Sequence, residues 1–235
     1  KKVLIKPNFW GFLILKEEED LARDNDNNVV LFNTSSLFAR KRKCINVLKD
    51  RRVDGMIYMG KTYDQQRIDL LANCDFPIVI ISREENEIDY PTVNIDNYQA
   101  AYDMTNYLIE TGYQNIAFIS GPEEDTTAGL KRAKGYKQAL TDNGLQFNSD
   151  LLVNGDFTLK SGYQGIEEIL EQTSNLDAVF AANDEMAVGA MRQIREQGYS
   201  IPDDIAVAGF DNISLVDYVE PRLTTVVQPV YELGQ

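Results

Sequence analysis

Asn183 and Asp184 stand where an apolar run ends and a helical pattern begins, the position in this chain best suited to hold a polar ligand. The run 178–182, Ala-Val-Phe-Ala-Ala, suits a strand covered on both faces. Ala187, Met191 and Ile194 then recur at helical spacing before Gly198 supplies a stop. In open α/β sheets, ligands bind beyond the carboxyl ends of the strands, which puts Asn183 and Asp184 on the working edge. Asp184 is also a good N-cap for the helix that follows, so capping competes with ligand binding as its role.

Composition narrows the chemistry. The 235 residues include no histidine, which excludes Ser-His-Asp and Cys-His catalysis within this chain and removes the commonest metal ligand. No Gly-x-Gly-x-x-Gly, Walker A or Gly-x-Ser-x-Gly pattern occurs, which argues against a nucleotide enzyme or a hydrolase. We expect no catalytic residue, no cofactor and no metal. The formal charge of −14 argues against nucleic-acid binding through the general surface, because phosphate backbones require clustered Lys and Arg. Cys44 and Cys74 form no CxxC pair and fit reduced thiols in a cytoplasmic protein. No run approaches the ~18 apolar residues of a membrane span, so no membrane association is expected. The opening Lys-Lys-Val-Leu-Ile-Lys is too short for a signal peptide, although a mature secreted protein would already have lost its own.

The elements that must position these residues alternate. Extended runs at 3–5, 29–32, 55–59, 78–81 and 93–95 are separated by helical patterns at 12–23, 39–50 and 63–72, with a polar loop over 82–90. Asp96 precedes a helix over 98–110 that Gly112 closes. A second series follows, with strands at 115–120, 151–153, 178–182 and 205–209 and helices at 127–141, 161–171 and 184–197. Such βα repetition implies parallel sheets. About ten strands exceed what one sheet usually carries in a chain of this size, so the fold class is α/β with two doubly wound subdomains.

Four ordered motifs carry a resemblance. Gly121-Pro122, Arg132-Ala133-Lys134-Gly135-Tyr136, the segment from Ala182-Asn183-Asp184 to Gly189, and Gly209-Phe210-Asp211-Asn212 with Pro221-Arg222-Leu223-Thr224-Thr225-Val226 look like the LacI/GalR family of bacterial transcriptional regulators. The match covers nearly the whole chain from about residue 28 and concerns the effector-binding core. The resemblance implies two Rossmann-like, periplasmic-binding-protein-like subdomains joined by crossovers, with residues 1–111 plus 228–235 on the amino side and 112–227 on the carboxyl side. It also implies a small-molecule effector, a sugar or a derivative, bound in the cleft between them.

Carried over by position, Arg132 resembles the arginine that clamps the effector, Asn183 the asparagine at a strand end, Asp211 the aspartate after the Gly-Phe step and Asp96 the aspartate before the long helix. Sugar hydroxyls both donate and accept, so fixed acceptors beside a forked donor make chemical sense. Each residue keeps a plainer reading: Asp96 as a cap, Asp211 as a turn residue, and Arg132, flanked by Lys131 and Lys134, on a solvated helix face. Phe9 and Trp10 lie where the family has a cleft-lining segment, here compressed, and suit ring stacking or the core equally. The resemblance further implies a homodimer, with Val188, Tyr218 and Val219 at its interface. Operator DNA would be contacted only through a helix-turn-helix headpiece preceding Lys1.

Two alternatives remain. Val226-Val227-Gln228-Pro229-Val230-Tyr231 is similar to a carbon catabolite branch whose core binds a phosphorylated carrier protein, but Glu220 stands where a basic residue would meet the phosphate. A periplasmic sugar-binding protein shares the architecture but seldom carries the 221–226 motif.

Overall fold

The computed structural model describes residues 2–6, 22–33, 38–50, 53–59, 65–81, 90–123, 125 and 127–234. Two compact units emerge, Lys1–Ile95 with Pro229–Gln235, and Asp96–Gln228.

In the first unit, β1 (Lys2–Lys6), β2 (Val29–Asn33), β3 (Gly55–Met59), β4 (Ile78–Ile81) and β5 (Thr92–Val93) form a parallel sheet in the order β2-β1-β3-β4-β5. Helix α1 (Phe38–Asp50) is basic outside, but Cys44, Ile45 and Leu48 fall on one side and pack with Met56, Tyr58, Leu71, Ile78 and Ile80. Leu71 comes from α2 (Gln65–Ala72).

The second unit carries the candidate site. Helices α3 (Asn97–Glu110), α4 (Ala128–Asp142), α5 (Leu159–Gln172) and α6 (Asp184–Glu196) surround a parallel sheet of β6 (Ile116–Ser120), β7 (Leu152–Asn154), β8 (Ala178–Ala181), β9 (Ala206–Asp211) and β10 (Thr224–Val227). The order is β10-β9-β8-β6-β7. Every residue of β6 and β8 is buried, which explains why these strands read as unbroken apolar runs. Phe118 stacks on Tyr136 at 5.0 Å and meets Phe180 edge-on at 5.1 Å. The Tyr136 hydroxyl, which would otherwise be stranded, donates to the Ile116 carbonyl at 2.7 Å.

Two differences from the sequence reading have physical causes. The boundary lies at Ile95/Asp96 rather than at 111/112, and the return crossing lies after Gln228. Helix α3 belongs to the second unit because it packs so tightly on α4 that a Cβ on Gly135 would stand 2.2 Å from the Tyr98 carbonyl oxygen. Asn143 Nδ2 adds a hydrogen bond to Asn106 Oδ1 at 2.7 Å. Strand β10 was not anticipated: it is an edge strand with Thr224 and Val227 exposed, so it lacks the apolar run that marks its neighbours. The α7 turn of helix (Val230–Gly234) returns to the first unit, where Val230 packs on Met59 and Ile81. The helix expected over 12–23 and the loop over 82–90 fall largely outside the described residues, with 22–24 helical.

Candidate functional site

Arg132 projects from the inward face of α4, between buried Gly129 and buried Tyr136, and is only 4% exposed. It does not lie on the solvated face, although Lys134 beside it does. Its Nε donates to Asn97 Oδ1 at 2.9 Å and its Nη1 to the Ala182 carbonyl at the end of β8. The guanidinium carbon sits 3.5 Å from the centre of the Phe210 ring, a cation–π contact in a desolvated setting. Burial pulls its pKa down, and the carboxylates of Asp211, Asp125 and Asp184 act in the opposite sense.

Asp211 ends β9 and brings its Oδ1 to 3.6 Å from Arg132 Nη1. The same oxygen accepts a hydrogen bond from Gln228 Nε2. Burial pushes the Asp211 carboxyl up to about 6, against the opposing pull of Arg132. Gln228 is 5% exposed, and its Oε1 is buried with no hydrogen bond among the described residues. A buried acceptor in that condition is costly unless a donor meets it. Arg132, Asp211 and Gln228 thus put a forked cation, an acceptor and an unmatched carbonyl in one place, the constellation that suits a polyhydroxylated ligand.

The capping role that the sequence offered to Asp184 falls to Asn183. Asn183 is the N-cap of α6, its Oδ1 accepting the Met186 N–H at 2.9 Å, and its Nδ2 donates to the Phe157 carbonyl at 3.1 Å. Asp184 caps nothing; its Oδ2 accepts the Ile213 N–H at 2.9 Å and its Oδ1 the Thr225 hydroxyl at 2.5 Å. Burial pushes the Asp184 carboxyl up to about 7, with these hydrogen bonds working the other way.

Asp96 is exposed and caps α3, accepting the Gln99 N–H at 2.9 Å. It is the neighbouring Asn97, not Asp96, that bonds Arg132. Phe9 and Trp10 lie outside the described residues. Val188 and Val219 are half-buried, and Tyr218 is 85% exposed. Asn97, Phe210 and Gln228 were missed by sequence reasoning. Phe210 and Gln228 lie inside motifs already singled out, whereas Asn97 carries no local signal. Among the described residues, no cluster of three or more metal-ligating side chains occurs, and no helix is long and apolar enough to cross a membrane.

Residues 12–235 match the family described as periplasmic binding proteins and sugar binding domain of LacI family. This chain is a LacI-family effector-binding core. It is 36% identical over 216 residues to catabolite control protein A of Priestia megaterium, covering 92% of this chain and 65% of that protein. It is 38% identical over 224 residues to the HTH-type transcriptional regulator RegA of Clostridium acetobutylicum, covering 94% of this chain and 67% of that one. Among solved structures, the transcriptional regulator CelR in complex with cellobiose superposes with a TM-score of 0.89 at 29% identity, covering 99% of this chain and 74% of that chain. The LacI-family core therefore spans about two thirds of the length of these curated relatives, one named as a catabolite control protein and the other as an HTH-type transcriptional regulator.

Proposed function

We propose that this LacI-family core senses a small sugar or sugar derivative at the Arg132 end of the second unit. Within the whole regulator it acts as a homodimer that controls transcription through an operator-reading headpiece. The observation that carries the reading is the grouping of Arg132, Asp211 and Gln228, in which the buried Gln228 Oε1 has no donor among the described residues. The relative solved with cellobiose supports the ligand class. Phe9 and Trp10 remain proposed as stacking groups, Asn183 as a contact at the strand end, and Asp96 as an acceptor only where its capping bond leaves an oxygen available. Val188, Tyr218 and Val219 are proposed as the dimer surface, since an 85% exposed tyrosine beside a half-buried valine is the composition of an interface core. Calorimetry against a panel of mono- and disaccharides and nucleosides tests the reading: one class binds, and Arg132→Ala weakens it by about tenfold or more. Unchanged affinity in that variant overturns the site.

The similarity to catabolite control protein A favours a second reading, in which the core docks a phosphorylated carrier protein. Against it, Glu220 is exposed and would repel a phosphoserine. Binding of a serine-phosphorylated carrier that Glu220→Arg does not strengthen would make this the better account.

A further inference from the structure

Asp184 is fully buried, yet among the described residues no cation forms an ion pair with it. Its oxygens are held by neutral donors, the Ile213 N–H at 2.9 Å and the Thr225 hydroxyl at 2.5 Å, with the Asn212 N–H also directed at it. A carboxyl so placed carries a large desolvation cost, which these neutral donors offset by holding both of its oxygens. Those donors flank the connection between β9 and β10, which contains buried Val216 and exposed Tyr218. At the head of that connection, Asp211 (φ 114°) and Asn212 (φ 57°) both occupy the left-handed region. Asn212 is at ease in that region, but Asp211 at φ 114° lies beyond the usual left-handed well and is held there by its surroundings. The carboxylate also lies directly against β9: a Cβ on Gly209 would stand 2.4 Å from Asp184 Oδ1.

We propose that Asp184 is the positioning residue of the site. It pins the Asp211–Asn212 pair so that Asp211 faces Arg132, and with the same two oxygens it fixes the start and the end of the connection that carries Tyr218. A change at Asp211 is thereby passed to the 213–218 segment. This inference rests on the proposed reading of Arg132 and Asp211 as the effector end. It goes further, because it makes a side chain that need not touch ligand responsible for the geometry of one that does.

Asp184→Asn keeps the shape but turns one acceptor into a donor, and Thr225→Val removes one donor alone. Amide hydrogen exchange on the ligand-free protein should speed by about tenfold at Asn212 and Ile213 in Asp184→Asn, with the amides of β7 unchanged. Affinity for whichever sugar the wild type binds should fall by a similar factor, less in Thr225→Val. Ligand-induced protection across 216–218 should be present in the wild type and absent in Asp184→Asn. If Asp184→Asn fails to fold, Thr225→Val carries the same three measurements. Protection at Asn212 and Ile213 that survives both substitutions overturns the anchor. A wild type that binds no sugar overturns the effector reading, while the exchange data still decide whether Asp184 holds the turn.

Discussion

Arg132 Nη1 and Asp211 Oδ1 stand 3.6 Å apart in a setting where burial disfavours the charge of both, lowering the pKa of one and raising the other to about 6. Neither group is comfortable alone. Arg132→Ala would leave Asp211 buried without its cation, at a cost of roughly 3–5 kcal/mol in unfolding free energy near pH 8. At pH 5 the loss should be smaller, because an Asp211 freed from Arg132 takes up a proton and is neutral there. Urea unfolding at the two pH values checks this, and an equal loss at both would show that the pair is not electrostatically linked.

Stability should fall as pH rises from about 5 to 7. The folded chain retains protons on Asp184, held up to about 7, and Asp211, up to about 6, that the unfolded chain releases near the ordinary aspartate value of 3.8. Because the folded state binds more protons in this window, the slope is negative, up to about 1.4 kcal/mol per pH unit for each group. Among the charges bearing on these two carboxyls, Arg132 favours ionisation of Asp211 and attracts Asp184 as well, Glu185 opposes ionisation of Asp211, and Asp184 and Asp211 repel each other. Asp156 and Glu196 are held low and lose their contribution only as pH falls further, so they do not mask the effect. Asp184→Asn should flatten the slope. A wild-type profile that rises between pH 5 and 7 would contradict the burial of these carboxyls.

Gly209→Ala tests packing against Asp184. The new Cβ would meet Asp184 Oδ1 at 2.4 Å and Leu223 Cδ2 at 2.9 Å, and both neighbours are buried. The expected loss is roughly 1–3 kcal/mol by thermal or urea unfolding. Gly144→Ala, with no atom within 4 Å of its Cβ position, is a control for backbone strain alone, since its φ is +72°.

Tyr218→Asp tests assembly. In sedimentation velocity at micromolar concentration, the wild type should run as a dimer and the variant as a monomer with an unchanged circular dichroism spectrum, since an unpaired charge at the centre of an interface is strongly unfavourable. A variant that remains dimeric would place the interface elsewhere.

Much of this molecule could be read from local sequence. A strand covered on both faces must be apolar at every position, so Ala178–Ala181 was evident by itself, as was the helix that follows it. The place where that strand stops marked Asn183 and Asp184 as polar residues on the working edge of a parallel sheet, whereas Arg132 and Asp211 were singled out only by the family resemblance. Long-range contact decided the rest. Which unit takes α3 depends on Gly135 meeting the Tyr98 carbonyl, and no periodicity within either helix encodes that approach. Whether Asn183 or Asp184 caps α6 turned on the Ile213 N–H and the Thr225 hydroxyl, which claim Asp184 from 29 and 41 residues away. Arg132 was visible as a cation, but its inward course past Phe210 to Asn97 and the Ala182 carbonyl was not. A side chain's partner is set by where the chain returns in space, whereas the strand-and-helix pattern is set by the need of each segment to bury one face.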